Sequence, residues 1–152
     1  MLSYMPVRAI GINHVAFEVA DIDETLAWYE RWFAFTLRGR GRQMAFIDLG
    51  DQFIALMQAD VDGPHLDRTR HHGIVVDDKE ALRAELRAAG VEVPPSGSLR
   101  IHDPSGNQLE IVDYRDVQFS KTGAVLGAIG LDGLHKSESA RRELADKGML
   151  GD

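Results

Sequence analysis

Apolar and polar positions alternate twice along the chain in nearly the same order. "HVAFEVAD" begins at His14 and "HHGIVVDD" at His71, an offset of 57 residues. Both runs have the period of two expected of a strand. After each, the period lengthens to that of a helix. Ile22, Leu26, Tyr29 and Phe33 form one apolar stripe, and Leu82, Leu86 and Ala89 form another. Asp21 with Glu24, and Asp77 with Glu80, predict a capping box at the start of each helix. Gly90 stands where a helix-terminating glycine belongs. Three strand-like runs follow each helix: "FTLRGR", "QMAFIDLG" and "QFIALMQ" in the first half, "VEV", "SLRIHD" and "NQLEIVDY" in the second. Gly50-Asp51 and the stretch Asp103-Pro104-Ser105-Gly106-Asn107 are turn signals. Each half therefore reads strand, helix, strand, strand, strand. A polar linker carrying Gly63-Pro64 separates the halves, which are predicted to pair around one sheet-lined cavity. Beyond Tyr114 the pattern stops. The tail has a glycine-containing stretch, then a short helix capped by Ser137 and closed by Gly148. Val125, Leu126, Ile129, Leu131 and Leu134 need cover, so the tail is predicted to dock on the body or on a second subunit.

Composition narrows the chemistry. The chain has 152 residues and 44% hydrophobic content, enough for one packed domain. A net charge of −7 argues against a nucleic-acid binder, whose affinity comes largely from cations on phosphates. There is no cysteine, which removes disulfides, thiolate nucleophiles and Cys-bound zinc. Any metal must be held by histidine and carboxylate. No stretch approaches membrane-spanning length and no signal segment is visible, so a cytoplasmic protein without membrane partners is expected.

Strand parity then sorts the chemistry-bearing side chains by face. Val15, Phe17 and Val19 are the helix-facing set, so His14, Ala16 and Glu18 face the other way. By the repeat, His71 shares the face of His14, while His72 packs under the helix with Ile74 and Val76. Leu99, Ile101, Leu109 and Ile111 are core positions, which sends Arg100, His102 and Glu110 to the opposite side. One face thus collects His14, His71, Glu110, Arg100 and His102, with Glu18 nearby. Two imidazoles and a carboxylate are the ligands of a facial-triad metal site. Fe(II), Mn(II), Zn(II), Ni(II) and Co(II) all suit such ligands. Arg100 could pair with a substrate anion and His102 could move a proton near neutral pH. Glu18 is a candidate base.

The stretches "INHVAFEVADIDETLAWYERWFAF", "RHHGIVVDDKEALRAELRAAGVEV" and "RIHDPSGNQLEIVDY" resemble the vicinal oxygen chelate superfamily. That group includes glyoxalase I, extradiol dioxygenases, an epimerase, fosfomycin-resistance proteins and metal-free bleomycin-binding proteins. The resemblance spans roughly residues 9 to 115. It implies an α+β fold of two tandem βαβββ modules forming a cupped mixed sheet, with a C-terminal tail containing a short helix. It also implies a homodimer, often one that swaps modules. The modules would cover about 9–60 and 69–115 in a single domain, 1–118, with 119–152 as an extension. The family's metal ligands fall on His14, His71 and Glu110. Its fourth ligand, present in glyoxalase I, falls near Ala55, which cannot ligate. A three-ligand set is kept by extradiol dioxygenases and fosfomycin-resistance proteins. The fosfomycin enzymes have a hydroxyl where Ala16 stands and a Lys-containing loop that is absent here. Dioxygenases use His and Tyr residues around iron, for which His102 and Tyr114 are candidates, Tyr114 also being a candidate for holding substrate. The resemblance therefore implies a metal-dependent enzyme of a small-molecule substrate, dioxygenase-like first, with Fe(II) or Mn(II) favoured. A glyoxalase- or isomerase-type lyase and a metal-free small-molecule binding protein are the alternatives.

Overall fold

In the computed structural model, residues 12–61, 66 and 69–150 are described. Gly63-Pro64 and the N-terminal edge of the first module lie outside them. The first repeat forms β1 (His14–Val19), α1 (Ile22–Trp32), β2 (Thr36–Arg40), β3 (Met44–Asp48) and β4 (Phe53–Gln58). The second forms β5 (His72–Val76), α2 (Lys79–Ala88), β6 (Leu99–His102) and β7 (Gln108–Asp113). The first sheet runs β1-β4-β3-β2 and the second β5-β7-β6. In both, the first strand lies parallel to the last strand of its module. No helix among the described residues is long and apolar enough to cross a membrane.

The capping residues show how closely the second half copies the first. The Asp21 side chain accepts from the Glu24 N–H, as predicted. In the second half the cap is Asp78, which accepts from Ala81 N–H, and not Asp77. Asp77 instead accepts from the Asp78 N–H. Glu80, the second half of the predicted box, pairs with Arg83. The cap therefore keeps the same 57-residue offset as the histidines. Gly90 terminates α2 at φ +79°, a backbone region that disfavours side chains.

The second module is one strand short. Val91-Glu92-Val93 is a loop rather than the predicted strand. Its path is set from α2 by Arg83, whose side chain is only 3% exposed. Arg83 Nη1 donates to the Pro94 carbonyl and Nη2 to the Gly97 carbonyl, both at 2.7 Å. Pro94 and Pro95 offer no N–H to a neighbouring strand, so the segment cannot sustain a ladder. Val91 and Val93 still pack on the core.

The helix-facing residues of both sheets merge into one core. Phe17, Val19, Leu26, Tyr29, Ile47 and Leu56 from the first module join Ile74, Leu86, Leu99, Leu109 and Ile111 from the second. At its centre Phe17 meets His72 edge-on, ring centroids 4.4 Å apart, so His72 sits on the packing side as its parity requires. The helix sides of both sheets thus contribute to one core, and the open faces lie on their other sides.

The Asp-Pro-Ser-Gly-Asn turn fastens the modules together. Asp103 accepts from the Ser105 and Asn107 backbones and from the Asn107 side chain. Burial pushes the Asp103 carboxyl pKa up, against these hydrogen bonds. The organised turn then reaches the end of β1: Asn107 Nδ2 donates to the Glu18 carbonyl, and Ser105 Oγ accepts from Ala20 N–H.

The tail docks on the body. Its first helix, α3 (Gly123–Ala128), brings Val125 against Gly50, and Lys121 pairs with Asp51. The second, α4 (Glu138–Asp146), is capped by Ser137 and buries Ala140 and Leu144. Gly148 follows at φ +67°.

Candidate metal-binding faces

His71 and Glu110 come together on the open face of the second sheet. His71 Nε2 stands 3.1 Å from Glu110 Oε2. Gly73, two residues after His71, is the register partner of Glu110, so the parallel pairing of β5 with β7 produces this approach. Arg100 lies opposite Glu110 in the antiparallel β6–β7 pairing, its Nη2 3.6 Å from Glu110 Oε1. Both His71 and Glu110 are partly exposed, at 36% and 28%.

His14 occupies the matching place on the first sheet. Its ring stacks on Phe53 at 4.7 Å with an interplanar angle of 9°. Its Nδ1 is 2.9 Å from Asn13 Oδ1, and His71 Nδ1 is 2.9 Å from the Thr69 carbonyl. An oxygen at Nδ1 orients each ring and leaves Nε2 as the ring nitrogen available to a metal, the arrangement that supports a metal-ligating histidine. The two repeat histidines are therefore prepared alike, and the donor set fits a divalent transition metal.

His14, His71 and Glu110 do not converge in the described structure. No group of three His, Asp or Glu side chains able to hold a metal comes together among the described residues. Each histidine is on an open face, as parity requires, but the sheets meet through their other sides. His71, Glu110 and Arg100 meet; His14 is on a separate face.

The remaining predicted residues divide. Glu18 is exposed on the same open face as His14. His102 lies beside Arg100 on β6, its Nε2 3.3 Å from Gln108 Nε2, and borders a shallow cavity lined also by Trp28, Trp32 and Val91. Tyr114 is not brought to the site. Strand alternation ends at Asp113, which caps a one-turn 3-10 helix by accepting from Arg115 N–H. Tyr114 is consequently buried, its hydroxyl accepting from Lys121 N–H and its ring beneath Lys136 Nζ at 3.5 Å. It anchors the tail.

The register also locates the missing fourth ligand. Ala55 opposes Ala16 in the first sheet as Glu110 opposes Gly73 in the second. Around it the open face is apolar and aromatic: Phe46 meets Phe53 edge-on at 5.8 Å, and Arg38 lies over Phe53 at 4.8 Å. Sequence reasoning did not single out these three. Phe46 and Phe53 share the open-face parity of Ala55 and were readable from it, whereas the placement of Arg38 was not.

Comparison with known proteins agrees with this architecture. Residues 11–111 match the model of the Glyoxalase/Bleomycin resistance protein/Dioxygenase superfamily. The chain is 26% identical over 114 residues to the metallothiol transferase FosB of Shouchella clausii, covering 66% of this chain and 78% of that protein. Among solved structures it resembles a lactoylglutathione lyase from Agrobacterium tumefaciens, with TM-score 0.54, 24% identity and coverage of 70% and 96%. It also resembles a mutant of the fosfomycin resistance protein FosX from Listeria monocytogenes complexed with Mn(II) and 1S,2S-dihydroxypropylphosphonic acid, with TM-score 0.55, 17% identity and coverage of 68% and 90%. With a family match over most of its length and a repeated strand–helix–sheet architecture to go with it, the chain belongs to the Glyoxalase/Bleomycin resistance protein/Dioxygenase superfamily.

Proposed function

We propose that this protein is a metal-dependent enzyme acting on a small substrate through two adjacent oxygens. The metal would be held by His71 and Glu110 of one chain and by His14 of a second. The observation that carries the reading is the pair of open faces, each presenting a histidine anchored at Nδ1, with Glu110 3.1 Å from one of them. A homodimer that sets the first-module face of one chain against the second-module face of the other supplies all three ligands twice, as two-fold symmetry demands. The extension over 119–152 then acts as a strap holding the two modules of its own chain, within one domain over 1–118.

A bound divalent metal supplies Lewis acidity that stabilises negative charge developing on the chelated oxygens. The chain's own groups do the rest. Arg100 orients Glu110 and adds positive charge beside it. His102 and Glu18 are the groups placed to accept or return a proton. The apolar surface of Phe46, Phe53 and Ala55 keeps water from the bound substrate. Lyase or transferase chemistry is the preferred reaction class, because the similar FosB is named a metallothiol transferase and a structural relative a lactoylglutathione lyase. The dioxygenase reading rests on the three-ligand count alone. Mn(II) or Fe(II) is the favoured metal, a FosX relative having been crystallised with Mn(II).

Metal analysis tests the ligands. His71→Ala should abolish Mn(II) binding, and His72→Ala should leave it. Mixing His14→Ala with Glu110→Gln by joint refolding tests the assembly. Neither variant alone should bind, and the mixture should recover about a quarter of the wild-type sites, since half the dimers are mixed and each mixed dimer keeps one intact site. A mixture that recovers none places the ligands in one chain, and wild-type protein that binds no transition metal removes the enzyme reading.

A further inference from the structure

Arg38 is the point at which β2 and β3 fall out of step. Leu37 opposes Ile47 and Gly39 opposes Phe46, so Arg38 has no partner on β3 and forms a bulge. A bulge breaks alternation locally and re-aims one side chain. On either side the faces are clear. Thr36 and Gly39 oppose the open-face residues Asp48 and Phe46. Arg40 opposes the buried Ala45 and turns to the helix side, where it pairs with Asp23 of α1. The extra residue therefore sends Arg38 to the open face that its neighbour Arg40 does not reach.

There its guanidinium crosses β3 and settles over the ring of Phe53 on β4. Phe53 is the ring on which His14 stacks, so Arg38 is two ring contacts from the metal-face imidazole. The aromatic contact orients a long side chain that would otherwise sample many rotamers. Among the described residues Arg38 has no ion pair, whereas Arg40 is paired with Asp23 and Arg100 lies beside Glu110. An uncommitted guanidinium held over an aromatic ring keeps N–H donors for a planar or tetrahedral anion.

We infer that Arg38 is a specificity-determining residue that receives an anionic group on the substrate, separate from the oxygens that chelate the metal. The inference rests on the metal reading above, because it is His14 that ties this face to the reaction. It assigns the substrate to a class: a vicinal-oxygen chelator with a pendant carboxylate, phosphate or phosphonate.

Two hydroxamates test it. Acetohydroxamate chelates through two adjacent oxygens and has no further charge. N-hydroxysuccinamate carries the same chelating group with a pendant carboxylate. Each is titrated into the Mn(II)-loaded dimer and read by electron paramagnetic resonance. The wild type should bind the carboxylated chelator about tenfold or more tightly than the neutral one. Arg38→Ala should erase that preference while leaving Mn(II) affinity and acetohydroxamate affinity unchanged, and Arg38→Lys should restore part of it. Equal weakening of both chelators, or no change in either, overturns the inference and leaves the metal reading standing. A wild type that binds Mn(II) without preferring the carboxylated chelator does the same. A wild type that binds no Mn(II) overturns both.

Discussion

Replacing Arg83 with methionine should detach the loop that stands in for the missing strand. Methionine keeps most of the aliphatic stem, which lies within the fold, and removes only the guanidinium. Two charge-assisted hydrogen bonds are lost, to the Pro94 and Gly97 carbonyls at 2.7 Å. The Glu80 contact contributes little, since that carboxylate is 58% exposed. Bonds to a charged donor are worth roughly 1.5 to 3 kcal/mol each. The loop carbonyls can rehydrate once the loop moves, so the lower end applies and the expected loss is about 3 kcal/mol. With a urea slope of about 2 kcal/mol per molar, the unfolding midpoint should fall by about 1.5 M. Hydrogen exchange should speed at residues 91–98 before it changes elsewhere. Arg83→Lys should recover less than half, because one ammonium on a flexible stem cannot hold both carbonyls at the guanidinium's spacing. A loss under about 0.5 kcal/mol for Arg83→Met, with loop exchange unchanged, would show that Val91, Val93 and the prolines set the path without Arg83.

Two further outcomes follow from named contacts. The Asp113 carboxyl is held down to about 2 from 3.8, chiefly by the Arg115 side chain, with the Arg115 and Lys79 N–H groups adding to it. A depressed acid stabilises the native state above its unfolded pKa, near 3.9, and that contribution disappears as pH falls from about 4 through about 2. Wild type should therefore exceed Asp113→Asn by about 2 kcal/mol at pH 6 and by little at pH 2, measured by urea unfolding; a gap that does not close with acid would refute the assignment. Gly50→Ala should cost about 1 to 2 kcal/mol, because φ is +95° there and a Cβ would lie 2.9 Å from Val125 Cγ1; hydrogen exchange should report loosening of α3, and unchanged exchange would mean that α3 is not seated on Gly50.

Local rules were the legible part of this fold. Alternation assigned Phe17, Val19, Leu99, Ile101, Leu109 and Ile111 to the core, and all are buried. The same rule put His71 and Glu110 on one face and His72 on the other. It failed where the chain leaves the rule. Tyr114 shares the parity of Glu110 on paper, but β7 stops at Asp113, and the 3-10 turn buries the ring. Arg38 was invisible because a bulge is a mismatch between two strands, and neither strand alone records it. The Val91–Val93 segment has strand-like composition, but its fate is decided by an arginine eight to ten residues earlier and by two prolines just after it.

What alternation cannot supply is which faces meet. It states that His14 and His71 both lie opposite their helices, whichever sides of the two modules meet. The choice is made by contacts that carry no sequence period: Phe17 against His72, and the Ser105 and Asn107 side chains against the end of β1. Those contacts commit the helix sides of both sheets to one core and leave two open faces, each with an anchored histidine. A repeated sequence can place equivalent ligands twice within one chain. On the reading proposed above, a second copy would bring them to one metal.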